Sequence, residues 1–236
     1  MSEEAKKHCT AALSRRRVVV GLAALGSTIG IASYFALNPS GGPSAALAQR
    51  KTDATEFPIE ELMKTGTLEE RVLGKSDAPN TIIEYASMTC GHCGNFHRSI
   101  YPELKEKLVD TGKALFIFRE FPLDNYAAAA SMLARCVAPD KFFNFVDVLF
   151  KQQDSWAYVD PSKRVETLMG LAKQVGFNKE KFEKCLTDQK LLDGINWVRE
   201  RANEEFGVNS TPTFFVNGKL LRGGNDLEEF EKLMAP

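Results

Sequence analysis

Beyond residue 17 the sequence has no run of lysine or arginine, and its 30 basic and 31 acidic side chains leave a net charge of −1 over 236 residues. A basic track for a phosphate backbone is therefore missing, and nucleic acid is set aside as a partner. Residues 49–236 also lack internal repeats and low-complexity tracts. With 44% hydrophobic and 26% charged residues the chain is globular material, long enough for one good core or for a core with a large insertion. Disorder and fibre are excluded. Cysteine is scarce, with five in all, and only one pair is spaced Cys-x-x-Cys.

The first fifty residues read as an address. Lys6, Lys7 and Arg15 to Arg17 precede the uncharged run Val18 to Leu37, followed by Pro39, Gly41, Gly42, Pro43 and the small-residue signature Ala46-Leu47-Ala48. Basic, then apolar, then small residues at a cleavage point is the order of a secretory signal. Ser14-Arg15-Arg16-Arg17-Val18-Val19 looks like a twin-arginine pattern, and Gly21, Gly26, Ser27, Thr28, Gly30 and Ser33 dilute the apolar run. Twin-arginine export and the general secretory route both stay open. So does an uncleaved inner-membrane anchor, since twenty apolar residues can span a bilayer. Any of these puts the globular part outside the cytoplasm, in the periplasm, where disulfides persist. Cleavage after Ala48 removes five of the 30 basic and two of the 31 acidic residues, leaving 25 against 29. Cys9 goes too, leaving Cys90, Cys93, Cys136 and Cys185.

Residues 49–70 read as a linker with a short helix from Pro58 to Met63. Arg71-Val72-Leu73 is a strand candidate. Thr81 to Ala86 (TIIEYA) is a β-branched and aromatic run fitting a covered central strand, and it leads straight into SMTCGHCGNF. Phe96, Ile100, Leu104 and Leu108 recur at helical intervals, with Cys93 on the same stripe and Pro102 expected to bend the helix. Lys113 to Phe121 is a third strand, so the helix serves as the crossover of a parallel pair.

Some eighty residues of helical pattern follow. Asn125 to Ala138 is the first piece, and Pro139 opens a second reaching Ala157. Asp160-Pro161 starts a helix closed by Gly176, Asn178 caps a short one to Thr187, and Leu191 to Phe206 ends at Gly207. Thr213 to Val216 and Lys219 to Arg222 flank Asn217-Gly218, the strongest local hairpin signal. A last helix spans Asp226 to Met234. The sixteen phenylalanines include Phe142, Phe143 and Phe145, which look like helix core.

A cysteine pair at this spacing admits zinc binding, a structural bridge or dithiol exchange. Structural zinc wants a second ligand pair, and His92 lies between the cysteines, where it cannot readily converge with them and His97. A bridge closing so short a loop removes little chain entropy. Dithiol exchange fits best. Cys90 falls at the first turn of a helix, where unpaired N–H groups and the dipole favour a thiolate, while Cys93 is one turn deeper on the buried stripe. One sulfur would attack and the other would resolve the mixed disulfide.

Taken together, TIIEYASMTCGHCGNFH, FIFREFPL, the helical stretch and GVNSTPTFFVNG resemble a DsbA-like thiol:disulfide oxidoreductase of the thioredoxin superfamily, of alphaproteobacterial type, from about Arg71 to the C-terminus. The resemblance implies an α/β (α+β) thioredoxin fold from residues 71–123 and 208–236, with an all-helical subdomain, 124–207, inserted between the third and fourth strands. It implies Cys90 as attacking and Cys93 as resolving thiol, with Gly91 and His92 tuning the redox poise. Pro212 matches the family's cis-proline, and Thr211 would present its backbone to substrate peptide. Glu84 matches the acidic residue buried under the motif. A lone carboxylate in an apolar strand is costly unless it is paired or accepts a proton, so a raised pKa and proton transfer with Cys93 are expected; the alternative is a solvent-facing residue on an edge strand. His97 is either a satisfied core histidine or a partner of Glu84.

Cys136 and Cys185 fall in separate predicted helices and, in an exported protein, would form a structural disulfide worth roughly 3 to 4 kcal/mol on the chain-entropy model; two buried free thiols are the alternative. Where the strongest oxidases of the family carry Pro-His, this chain carries Gly-His, the dipeptide of protein disulfide isomerase; the two types have potentials of about −120 and −180 mV. The expectation is a monomeric enzyme, without metal or cofactor beyond the Cys90–Cys93 disulfide, that oxidises unfolded or reduced exported proteins and is regenerated by a membrane quinone-linked DsbB-type partner. The alternatives are an isomerase or reductase kept reduced by a membrane donor, and a non-catalytic chaperone on the same fold.

Overall fold

The computed structural model describes residues 54–224 and 226–235. The expected export signal, its cleavage point and the linker up to residue 53 lie outside the described residues. No helix among those described is long and apolar enough to cross a membrane.

Five strands form one sheet in the order β1-β3-β2-β4-β5, with β1 at Arg71–Leu73, β2 at Asn80–Ala86, β3 at Ala114–Glu120, β4 at Thr213–Val216 and β5 at Lys219–Arg222. Only β2 and β3 are parallel; Ile83 lies opposite Ile117, and Glu84 opposite Phe118. Their crossover consists of α2 (Gly91–Ser99), α3 (Tyr101–Leu104) and a π-helical turn at Lys105–Val109. The bend expected from Pro102 is present as a break at Ile100, in the turn ahead of it (φ −108°, ψ −46°). Pro102 occupies the first turn of α3, where a missing N–H costs no hydrogen bond.

The sheet is covered on both sides, which explains why β2 reads as a nearly continuous apolar run. Ile82 and Ala86 of β2 join Phe116, Phe118, Phe214 and Val216 against the crossover and the helical insertion. Ile83, Tyr85, Ile117 and Phe215 face the other way, onto Leu62 of α1 (Ile59–Leu62) and onto Ala202 and Phe206. Since side chains alternate, Glu84 shares the first face with Ile82 and Ala86 and so sits beneath α2. Asn217 (φ 51°) and Gly218 (φ 89°) close the β4–β5 hairpin in the left-handed conformation that an Asn-Gly turn supplies at little cost.

Between β3 and β4 lie α4 (Asn125–Cys136), α5 (Phe142–Lys151), α6 (Gln153–Trp156), α7 (Arg164–Gln174), α8 (Lys179–Leu186) and α9 (Gln189–Phe206). Side-chain caps start them: Asp124 accepts from the amides of Tyr126 and Ala127, Asn178 from Lys181 and Asp188 from Leu191. Gly207 (φ 65°) ends α9. The helix read as running from Pro139 to Ala157 is broken. It begins with a 3₁₀ turn at Pro139–Lys141 and is interrupted at Gln152, beside the fully buried Gln153. Phe142, Phe145, Phe150 and Trp156 are fully buried. Each would cost about 3 to 5 kcal/mol if truncated to alanine, so this segment is anchored from within. Cys136 at the end of α4 is bonded to Cys185 of α8, with Cα atoms 6.2 Å apart and a separation of 49 positions in sequence. After the hairpin, Asp226 caps α10 (Leu227–Glu231).

Candidate active site

Strand β2 delivers the chain to a three-residue loop, Ser87 to Thr89, and Cys90 is the N-cap of α2 (φ −78°, ψ 120°). Its amide donates to the Ser87 carbonyl at 3.0 Å. Its half-buried thiol donates to the Thr211 carbonyl at 3.2 Å, a bond available only to the protonated form. Both Cys90 and Cys93 are free thiols in this structure. The hydrogen bond from the Cys93 thiol, assisted by the amides of Cys93 and His92, pulls the Cys90 pKa from 9.0 down to about 5 against the opposing effect of burial.

Cys93, one turn on, is fully buried. Burial pushes its pKa well up, and the hydrogen bond to Cys90 and the charge on Glu84 push in the same direction. Two thiols three residues apart are thus polarised: the outer one ionises readily and the inner one holds its proton.

Glu84 is completely buried, not solvent-facing, and it is not alone. His97 Nε2 lies 3.2 Å and 2.9 Å from its two carboxyl oxygens. The His97 ring stacks on Phe150 at 4.2 Å, and its Nδ1 has no hydrogen-bond partner. Of the two readings of His97, the structure gives the one paired with Glu84. An isolated carboxylate here would be expensive; the imidazole shares its proton and reduces that cost.

The Thr211–Pro212 peptide bond is cis. Pro212 and Thr211 flank α2 across a cleft of about 330 Å³ that also touches His92, Asn95, Phe96 and Gly224. Gly91 and His92 are exposed at its edge. The structure therefore brings Cys90, Cys93, Gly91, His92, Glu84, Thr211 and Pro212 into one place. Cys136 and Cys185 lie apart from them, in the insertion. Among the described residues, no three His, Cys, Asp or Glu side chains converge as metal ligands would.

Sequence reasoning missed Gln153 and Tyr158. Gln153 Nε2 donates to the carbonyls of Met88 at 2.8 Å and Cys90 at 2.9 Å, and the Tyr158 hydroxyl donates to that of Thr89 at 3.2 Å. A glutamine that bonds to backbone carbonyls more than sixty residues away has no local sequence signature. Thr89, also missed, donates to the Asp124 carboxylate at 2.6 Å.

A mixed five-stranded sheet that presents a polarised dithiol at a helix N-terminus, opposite a cis-proline, defines a thioredoxin-type protein, here with a helical insertion. Residues 66–235 match the family model described as Thioredoxin, and the chain belongs to that family, in its DsbA-like, alphaproteobacterial branch. It is 36% identical over 174 residues, 71% of this chain and 62% of the relative, to a Rickettsia bellii protein named "Putative protein-disulfide oxidoreductase". It is 29% identical over 168 residues, 68% of this chain and 73% of the relative, to disulfide bond formation protein D of Bacillus subtilis. The crystal structure of Wolbachia pipientis alpha-DsbA1 superposes with a TM-score of 0.67 at 35% identity, covering 73% of this chain and 92% of that one. The chain spans 62% of the length of the R. bellii relative and 53% of the one from Rickettsia felis.

Proposed function

We propose that this protein is an exported, periplasmic thiol:disulfide oxidoreductase that introduces disulfides into other exported proteins. The observation that carries the reading is the polarisation of the dithiol. A thiolate stabilised at Cys90 favours the reduced form of the enzyme, and that makes the Cys90–Cys93 disulfide an oxidant.

In the oxidised enzyme a substrate thiolate attacks Cys90 Sγ and the Cys90–Cys93 bond breaks. Cys93 leaves as a thiolate and takes up a proton, for which Glu84 and His97 are the buried source. A second substrate thiolate then attacks the substrate sulfur of the mixed disulfide and expels Cys90, a fast leaving group because of its low pKa. Two electrons pass to the enzyme, and substrate gains one S–S bond. Thr211 and Pro212 hold the substrate backbone beside Cys90. No cofactor beyond the dithiol is required, and reoxidation falls to a membrane quinone-linked partner of DsbB type.

The test is the equilibrium potential of the purified protein against glutathione, measured beside its refolding of a reduced multi-disulfide substrate. A potential well above the roughly −270 mV of thioredoxin, with rapid substrate oxidation, supports the oxidase. A potential near that value, with activity only on scrambled disulfides, would assign the Gly91-His92 motif to a reductase or isomerase instead. Full activity in Cys90→Ser would point to a chaperone.

A further inference from the structure

Met88, Thr89 and Cys90 are three consecutive residues ahead of α2, and the carbonyl of each accepts a side-chain hydrogen bond from a single six-residue stretch of the insertion. Gln153 spends both of its amide hydrogens, on Met88 and on Cys90, which fixes the orientation of its amide. Its Oε1 turns toward Tyr158 and Gly94; any side chain at 94 would collide with it. Tyr158, although 53% exposed, closes the middle carbonyl, and its hydroxyl lies 3.0 Å from where a Cβ on Gly91 would be. Both glycines in the Cys-Gly-His-Cys-Gly stretch thus face this one clamp.

The clamp has two physical effects. It fixes the backbone on either side of Thr89 and with it the direction in which Cys90 Sγ points, toward the Thr211 carbonyl and Cys93. It also places an N–H or O–H on each carbonyl oxygen near the sulfur, on that of Cys90 in addition to the Gly94 amide at 3.0 Å. An undonated carbonyl presents its negative end to the site and opposes a thiolate; a donor on it offsets that field.

We propose that Gln153 and Tyr158 are positioning residues, through which the helical insertion holds the three carbonyls ahead of α2 and sets Cys90 for thiol–disulfide exchange. The insertion therefore acts on the chemistry without touching substrate. The redox consequence rests on the function proposed above, whereas the effect on the Cys90 thiolate does not.

Gln153→Met keeps the length of the side chain and removes both donors, and Tyr158→Phe removes one hydroxyl. In Gln153→Met the thiolate titration of Cys90 should move up by about one unit, tenfold less thiolate at a given pH below the midpoint. The potential should fall by about 30 mV, the equivalent of that tenfold change. Tyr158→Phe should move both in the same direction by less. Gln153→Met that is less stable yet leaves titration and potential at the parent values would show mere packing and overturn the proposal. Should Gln153→Met fail to fold, unchanged values in Tyr158→Phe overturn it. A parent protein that exchanges no disulfides would instead defeat the proposed function, and the titrations would still decide the inference.

Discussion

Reduced protein titrated from acid to alkaline pH, with thiolate absorbance followed in the ultraviolet, should show Cys90 ionising near pH 5 rather than 9. At pH 7 thiolate would then outnumber thiol about a hundredfold. The first cause of the shift is the Cys93 thiol, so Cys93→Ala should move the midpoint up by about one unit or more. The shift also sets how the stability of the reduced form varies with pH. The folded pKa lies below the unfolded one, so the stabilisation is complete above pH 9, shrinks as pH falls, and is gone below pH 5. Four units in a fully shielded group would correspond to about 5 kcal/mol; for a half-exposed sulfur, solvent screening brings this to roughly 2 to 3 kcal/mol. The oxidised form has no Cys90 thiol to titrate and should lack this slope. Denaturant unfolding of both forms across the same pH range measures the difference. A midpoint in the ordinary cysteine range of about 8 to 9, or one indifferent to Cys93→Ala, would refute the argument that the inner thiol and the helix end together favour the anion.

Replacing both Cys136 and Cys185 by alanine should lower unfolding stability by roughly 3 to 4 kcal/mol and leave the Cys90 titration in place. Counting free thiols in denaturant after oxidation checks the pairing in the parent, since two left over would exclude the bridge. Glu84→Gln should slow formation of the mixed disulfide at Cys90 by roughly 10- to 100-fold at neutral pH, because the departing Cys93 thiolate loses its proton source. Rates that stay unchanged across pH in this variant would remove Glu84 from proton transfer.

Much of the fold was legible because its signals are local. Asp124, Asn178 and Gly207 mark helix ends by their own hydrogen bonds or dihedrals, and Asn217-Gly218 specifies a hairpin within four residues. The cysteine pair reveals itself by spacing, and the nearly continuous apolar character of β2 follows from a sheet covered on both sides. What was illegible depends on distant partners. Periodicity places His97 on the same face as Cys93 but does not say that Glu84 lies 2.9 Å away. Gln153 reads as one more polar residue in a helix, since the carbonyls that bury it belong to a loop more than sixty positions earlier. The break expected from Pro102 is found two residues ahead of it, at Ile100, and leaves the proline in the first turn of α3.

The bond between Cys136 and Cys185 has a bearing on how the molecule itself comes to be made. Four cysteines remain after residue 48, and four allow three connectivities. In the bonded arrangement proposed for the oxidised enzyme, 90 with 93 and 136 with 185, each cysteine is joined to the next one along the chain. A polypeptide oxidised in the order in which its residues emerge meets the correct partner first at both steps. In that order of oxidation no earlier bond has to be opened to reach this arrangement.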